Sequence, residues 1–242
     1  MQSQDITIEI DGGAMPCYLS QPSGEAPAPA VIVLQEIFGV NTEMRRISDL
    51  LAGAGYVAFA PNYYYRTNPA LNEPYTDAGR QVGFAAARAV TKANLRRDLG
   101  AAIDWLNAQP FVARGKIATW GFCFGGTVAF IAATLPGLAC AVSFYGGSIA
   151  GPLPDGEPEA LADAKDLRAP ILFAFGGLDE HIPPTAVARI AEVLSAAQKR
   201  FEIQTYPNVG HAFFRESSEN LSTEEVADAW DRVQAFLERN LA

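Results

Sequence analysis

Cys123 stands in Ile117-Ala118-Thr119-Trp120-Gly121-Phe122-Cys123-Phe124-Gly125-Gly126, an apolar, β-prone run that ends among glycines. A helix-like run, Thr127 to Thr134, leaves it. The pattern is G-x-S-x-G with cysteine in the serine place. Small residues at 121 and 125 let a strand turn into a helix within a few positions, which pushes the central side chain out in a strained conformation. A thiolate there would stand at the N-terminus of the following helix, where free N–H groups and the helix dipole favour negative charge. The chemistry this suits is nucleophilic attack. Cysteine is also a common buried residue, so the motif needs support from elsewhere in the chain.

A thiol nucleophile needs a base, and the base needs an orienting group. The chain has two histidines. His211 lies in Gly210-His211-Ala212-Phe213 directly after the last expected strand, where an imidazole can reach back over a sheet. His181, two residues past Asp179 and just before Pro183-Pro184, reads as a loop histidine. Asp179, after Phe175-Gly176-Gly177-Leu178, is the candidate to orient His211, against the plainer reading of a turn or capping carboxylate. The order Cys123, Asp179, His211 is the nucleophile, acid, histidine order of α/β-hydrolases. Glu36 follows another strand end, a position where a solvated or capping carboxylate is the commoner occupant.

The elements that must carry these groups are legible as alternating runs. Residues 5–10 and 14–20 alternate around Asp11-Gly12-Gly13, an N-terminal hairpin signal. Ala30-Val31-Ile32-Val33-Leu34 is a continuous apolar run, the signature of a strand buried on both faces. Helical spacing over 43–54 stops at Gly55, and a strand follows over 56–60. Pro61-Asn62-Tyr63-Tyr64-Tyr65-Arg66 opens a long polar loop to about Thr76. A helical region over 79–108, broken near Thr91–Asn94, leads to the Cys123 strand. Further strands are expected over 138–144, 170–175 and 201–206, a loop with a short helix over 149–168, and helices over 184–198 and 223–241. The alternation implies an α/β fold, a mainly parallel central sheet with helices on both faces. Nothing in composition divides residues 1–242, so a single domain is expected. In such a sheet the site lies at the carboxyl ends of the strands, where Glu36, Cys123, Asp179 and His211 all fall.

With 49% hydrophobic and 19% charged residues the chain can build a large core. A net charge of −9 argues against nucleic acid or an anionic membrane as partner. No run has the length of a membrane-spanning helix, and Met1-Gln2-Ser3-Gln4-Asp5 lacks signal-peptide features. Cys17, Cys123 and Cys140 are too few and too scattered for a disulfide framework or a zinc site. A cytoplasmic, thiol-retaining protein is expected.

The sequence resembles the dienelactone hydrolases of the α/β-hydrolase superfamily from about residue 5 to 240. The sharpest matches are Gln35-Glu36-Ile37-Phe38-Gly39-Val40-Asn41, Gly121 to Gly126, Gly177-Leu178-Asp179 and Gly210 to Arg215. Members hydrolyse the enol-lactone dienelactone to maleylacetate in bacterial degradation of chlorinated aromatics, without metal or organic cofactor. The resemblance implies Cys123 as nucleophile, His211 as base and Asp179 as its partner. It also implies Glu36 as a carboxylate that accepts the thiol proton once substrate binds, the resting thiol being neutral and turned away. Such an arrangement would protect the thiol from oxidation. The Phe124 N–H, next to the nucleophile, is one expected oxyanion donor, and the resemblance gives Ile37 as the other.

Dienelactone carries a carboxylate, which asks for a cation in an acidic protein. Arg215 matches a substrate-binding arginine of the family, and Arg80 or Arg88 is the second, with Arg80 favoured. Tyr145 and Tyr63 or Tyr64 are candidate pocket walls, although interface or loop packing explains the tyrosines equally well. A broader carboxylesterase or lactonase of the same fold is the runner-up reading. A redox-sensing thiol protein and a non-catalytic ligand binder are further alternatives. The partner expected is a small lactone or ester, and quaternary structure is open between monomer and small homo-oligomer.

Overall fold

The structure, a computed structural model, describes residues 1–10, 13–24, 26–218 and 222–242. Strands β1 (Gln2–Ile10), β2 (Gly13–Gln21), β3 (Ala28–Leu34), β4 (Val57–Pro61), β5 (Val112–Phe122), β6 (Cys140–Phe144), β7 (Ile171–Gly176) and β8 (Phe201–Tyr206) form one sheet in the order β1-β2-β4-β3-β5-β6-β7-β8. β1 and β2 pair antiparallel from Gln2 with Gln21 to Ile10 with Gly13, the expected hairpin. Residues 11 and 12 of its turn lie outside the described residues. β2 also runs antiparallel to β4, and every pairing from β4 to β8 is parallel.

The parallel strands are the buried apolar runs, because helices cover both their faces. Trp120 of β5 stacks on Trp230 of α6 (Thr223–Leu241), with ring centroids 5.7 Å apart. The next residue, Gly121, abuts the backbone of α4 (Phe124–Ala132) on the opposite face. α1 (Thr42–Gly53) lies against β2, β3 and β4, and α5 (Pro184–Ala196) connects β7 to β8. A contiguous core runs from Ile8 to Leu241. Among the described residues no helix is long and apolar enough to cross a membrane.

Several boundaries differ from expectation for physical reasons. β5 starts at Val112 rather than Ile117, because Ala28 pairs with Val112 beyond a register shift even though Arg114, Gly115 and Lys116 break the apolar pattern. The helical region over 79–108 is two helices, α2 (Asp77–Arg88) and α3 (Lys92–Asn107). Threonines start both: Thr76 Oγ1 accepts from Gly79 N at 3.1 Å, and Thr91 Oγ1 from Asn94 N at 3.2 Å. α4 begins at Phe124 rather than Thr127, since the glycines that lower helix propensity are the ones the tight turn requires. The short helix expected within 149–168 is a 3₁₀ turn over Ala160–Asp166.

Candidate active site

Cys123 occupies the one-residue hinge between β5 and α4 with φ 53° and ψ −118°. A non-glycine residue at positive φ costs about 1–3 kcal/mol and persists only where its surroundings enforce it. Here they do. A Cβ added at Gly121 would lie 1.9 Å from the Gly125 carbonyl oxygen, and one at Gly125 would lie 2.1 Å from that of Leu34. No side chain fits at either place, so strand, turn and helix are locked by direct backbone contact. The Cys123 N–H donates to Phe144 O at 3.1 Å, while its carbonyl accepts from Gly126 N at 2.9 Å. Tyr145 and Ala212 also have positive φ, 39° and 59°, so backbone strain gathers around this one centre.

His211 and Asp179 come from the turns after β8 and β7, which the Leu178 N–H ties together by donating to Val209 O at 3.0 Å. His211 Nδ1 lies 2.7 Å from Asp179 Oδ2, and Asp179 Oδ1 accepts from His181 N at 2.9 Å. Both carboxylate oxygens are therefore engaged. Burial works to raise the Asp179 pKa, but the hydrogen bond and charge of His211 and the His181 N–H outweigh it, leaving the pKa below its ordinary value. Burial likewise opposes charge on His211; the neighbouring Cys123 sulfur and the Asp179 carboxylate overcome it and push the imidazole up to about 10. Cys123 acts on His211 through charge and as a side-chain hydrogen-bond partner.

Glu36 sits in the turn after β3, only 2% exposed. Burial drives its pKa up against the opposing charge of Arg215. The pair is loose: Arg215 Nη1 is 3.7 Å from Glu36 Oε1. Among the described residues Glu36 Oε2 and Arg215 Nε are buried without a well-formed hydrogen bond, and the Tyr75 hydroxyl is the side-chain group that, after Arg215, most favours charge on Glu36. Arg215 instead lays its guanidinium over the Tyr75 ring, with Cζ 3.9 Å from the centroid.

Cys123, His211, Glu36, Arg215, Ile37 and Phe124 share one cleft of about 660 Å³. Phe124 is the first residue of α4, so its N–H is among the helix-terminal donors without an intrahelical acceptor. Arg80 of α2 reaches the cleft, 62% exposed and only 4.0 Å from Asp77 as its nearest acid. Arg88, at the last turn of the same helix, is exposed and does not line the cleft. Eight residues of helix place it about 12 Å further along the axis than Arg80.

The tyrosines also depart from expectation. Tyr64 is fully buried and forms no part of the cleft wall. Its neighbours hold the loop inward: the Tyr63 hydroxyl donates to Gln35 O at 2.5 Å, and Tyr65 faces the buried Asp98, which Arg66 also binds. Tyr145 is 1% exposed and backs His211, its ring edge-on with centroids 5.1 Å apart. It supports the imidazole from behind and forms none of the cleft lining.

Two residues went unrecognised in the sequence. His181, read as a loop histidine, lines the cleft with its ring centroid 5.2 Å from that of His211. Its place two residues after Asp179 was the available signal. Tyr75, which seats Arg215, gave none, because the loop that carries it is positioned by backbone contacts far away in sequence. Glu73 N donates to Phe38 O at 2.9 Å, and Gly39 bridges to Asn72.

A family model described as the dienelactone hydrolase family matches residues 15–241. A Synechocystis protein provisionally named carboxymethylenebutenolidase is 35% identical over 98% of this chain and 96% of its own. An Escherichia coli K12 protein with the same provisional name is 34% identical over 94% of this chain and 83% of its own. The crystal structure of a protein from Klebsiella pneumoniae, provisionally titled a dienelactone hydrolase, superposes with a TM-score of 0.88 at 30% identity, covering 98% of both chains. With this match over nearly its whole length, on an α/β-hydrolase fold, the chain belongs to the dienelactone hydrolase family and is a hydrolase.

Proposed function

We propose that the protein hydrolyses an enol-lactone, dienelactone to maleylacetate, through a thioester on Cys123, as one step of bacterial aromatic or chloroaromatic degradation. The observation that carries this reading is the strained elbow thiol sharing one cleft with the Asp179–His211 pair and with a second, loosely held carboxylate, Glu36. The proposed name of its relatives, carboxymethylenebutenolidase, points to the same reaction.

The steps follow from the geometry. The Cys123 thiolate, with His211 as its imidazolium partner, attacks the lactone carbonyl carbon. The oxyanion that forms is met by the backbone N–H groups of Phe124 and Ile37, donors of a kind whose loss typically costs a hundredfold or more in rate, roughly. The ring C–O bond then breaks. The departing enolate is stabilised by conjugation and leaves with little help from an acid. The enolate then takes up the imidazolium proton, and the neutral His211 deprotonates the water that attacks the thioester; the acyl–sulfur bond breaks, the acid product leaves and the thiolate–imidazolium pair is restored. Asp179 holds the imidazole ring and its tautomer throughout, because one of its oxygens binds Nδ1 and the other is fixed by the His181 N–H.

Glu36, whose pKa burial raises, is the carboxylate that takes the thiol proton once substrate is bound. A carboxylate on the substrate would compete for Arg215 and so free Glu36 to act. Arg80 supplies a second cation at the edge of the cleft. Three free cysteines, two of them buried, accord with a reducing, cytoplasmic setting for this reaction.

Steady-state hydrolysis of dienelactone and of p-nitrophenyl acetate, by wild type and Cys123→Ala, tests the reading. Dienelactone should show the far larger kcat/KM, and Cys123→Ala should abolish turnover of both. Brisk ester hydrolysis beside slow dienelactone hydrolysis would replace the lactone reading with a broader esterase. Unchanged rates in Cys123→Ala would remove the thioester from the mechanism.

A further inference from the structure

Four large apolar side chains are prominently exposed among the described residues: Met1, Val82, Phe84 and Leu178. Met1 is the terminus. Phe84 (44% exposed, on α2) and Leu178 (63%, in the turn after β7) both line the Cys123 cleft, although they come from separate elements. Phe38 and Pro154 extend the same lining. Apolar surface left at the rim of a functional cleft marks something that covers it in use.

The cleft itself is large for the proposed substrate. Its volume of about 660 Å³ lies within the roughly 300–1,000 Å³ of sites that enclose drug-sized ligands. A small monocyclic lactone bound at Cys123 and Arg215 leaves much of that space, and both rim side chains, in contact with water.

We propose that Phe84 and Leu178 form an apolar subsite that selects esters or lactones carrying a hydrocarbon or aryl arm. This inference rests on the thiol-hydrolase reading above and widens its substrate class. The substrate it describes is amphiphilic: an acyl group at Cys123, an apolar arm along Phe84 and Leu178, and a tolerated anionic group near Arg80. Because the subsite is half open, each added methylene loses only part of its contact with water. The gain is then about two- to fourfold per methylene, at or below the value for full burial.

The test is kcat/KM for p-nitrophenyl acetate, butyrate and hexanoate with wild type, Phe84→Ala, Leu178→Ala and Val82→Ala. Both rim residues are exposed, so their removal leaves the core intact. In wild type the hexanoate-to-acetate ratio should rise by about tenfold or more. It should fall about fivefold in Phe84→Ala and in Leu178→Ala, and stay at the wild-type value in Val82→Ala, exposed on the same helix outside the cleft. Hydrolysis that depends on Cys123 but shows a flat chain-length series, or a series untouched by both rim variants, overturns the subsite and leaves the hydrolase reading standing. Equal effects from Val82→Ala would also overturn it. Absence of Cys123-dependent hydrolysis with every ester and with dienelactone removes both readings.

Discussion

Asp179 and Glu36 are nearly inaccessible carboxylates in the turns after β7 and β3, each facing a cation, and they are held in opposite ways. Asp179 is gripped: His211 Nδ1 at 2.7 Å on one oxygen, the His181 N–H at 2.9 Å on the other. Glu36 is held more loosely: Arg215 at 3.7 Å on one oxygen, the Tyr75 hydroxyl nearby, and no well-formed hydrogen bond on Oε2 among the described residues. Burial raises the pKa of both, but only Asp179 has enough partners to reverse it. A fully bonded carboxylate orients a neighbour, whereas an under-bonded one stores the capacity to move and to take a proton.

The division is broken most directly by kinetics. Asp179→Asn and His211→Asn should each lower kcat/KM for dienelactone by about 10³–10⁴, the scale for losing a triad member. Glu36→Gln should cost about a hundredfold, the lower end for general acid–base assistance. Equal losses at 36 and 179 would mean that both carboxylates orient, and the contrast would be void. The imidazole reports the gripped side separately. His211 should titrate near pH 10 in wild type by NMR, and lower in Cys123→Ala, where Asp179 alone is left of the two neighbours that oppose burial. An unmoved titration would dissociate the thiol from the histidine.

Arg215→Lys keeps the charge but loses the planar stack on Tyr75. The KM for dienelactone should rise about tenfold, with a much smaller change for a neutral ester, if the guanidinium meets a substrate carboxylate.

The smallest effect, and the sharpest in sign, is on stability. Asp179, with its pKa held below the ordinary 3.8, contributes stability above that value and loses it as pH falls through the depressed pKa. Glu36 is raised above 4.5, so its contribution is full below pH 4.5 and drains away as pH rises through the folded value. At pH 7 Asp179→Asn should lower Tm by about 3–10 °C, for a charged hydrogen bond worth about 1.5–3 kcal/mol. Glu36→Gln should raise Tm by about 2–4 °C at pH 7, for each kcal/mol of relieved burial, and by less near pH 4. Shifts of the same sign in thermal melts would contradict the contrast.

Much of this was legible in the chain. Continuous apolar runs such as Ala30 to Leu34 announce parallel strands because both faces are covered, and Gly121 and Gly125 announce a backbone contact that tolerates no side chain. Residues that must follow strand ends, Cys123, Asp179, His211 and Glu36, could therefore be placed in one cleft by topology alone. The walls could not. Whether Tyr64 or Tyr75 faces the site depends on how residues 62–76 fold back onto Phe38 and Gly39, and periodicity carries no record of that contact. Arg80 and Arg88 lie about 12 Å apart along α2, and which end of the helix meets the cleft is set by tertiary packing that the sequence does not display. His181 is an exposed residue, as a proline-flanked loop histidine usually is, and what the sequence leaves out is that the surface it occupies is the rim of the cleft.

The unequal settings of the three thiols make this protein countable. Cys17 and Cys140 are buried in the core, and burial raises both, Cys140 to about 12, so neither offers an alkylating reagent an ionised sulfur at neutral pH. Cys123 alone opens onto solvent. One equivalent of iodoacetamide per folded chain therefore measures the concentration of competent sites in any preparation. A chromophore or spin label can likewise be placed at the elbow without first removing the other cysteines.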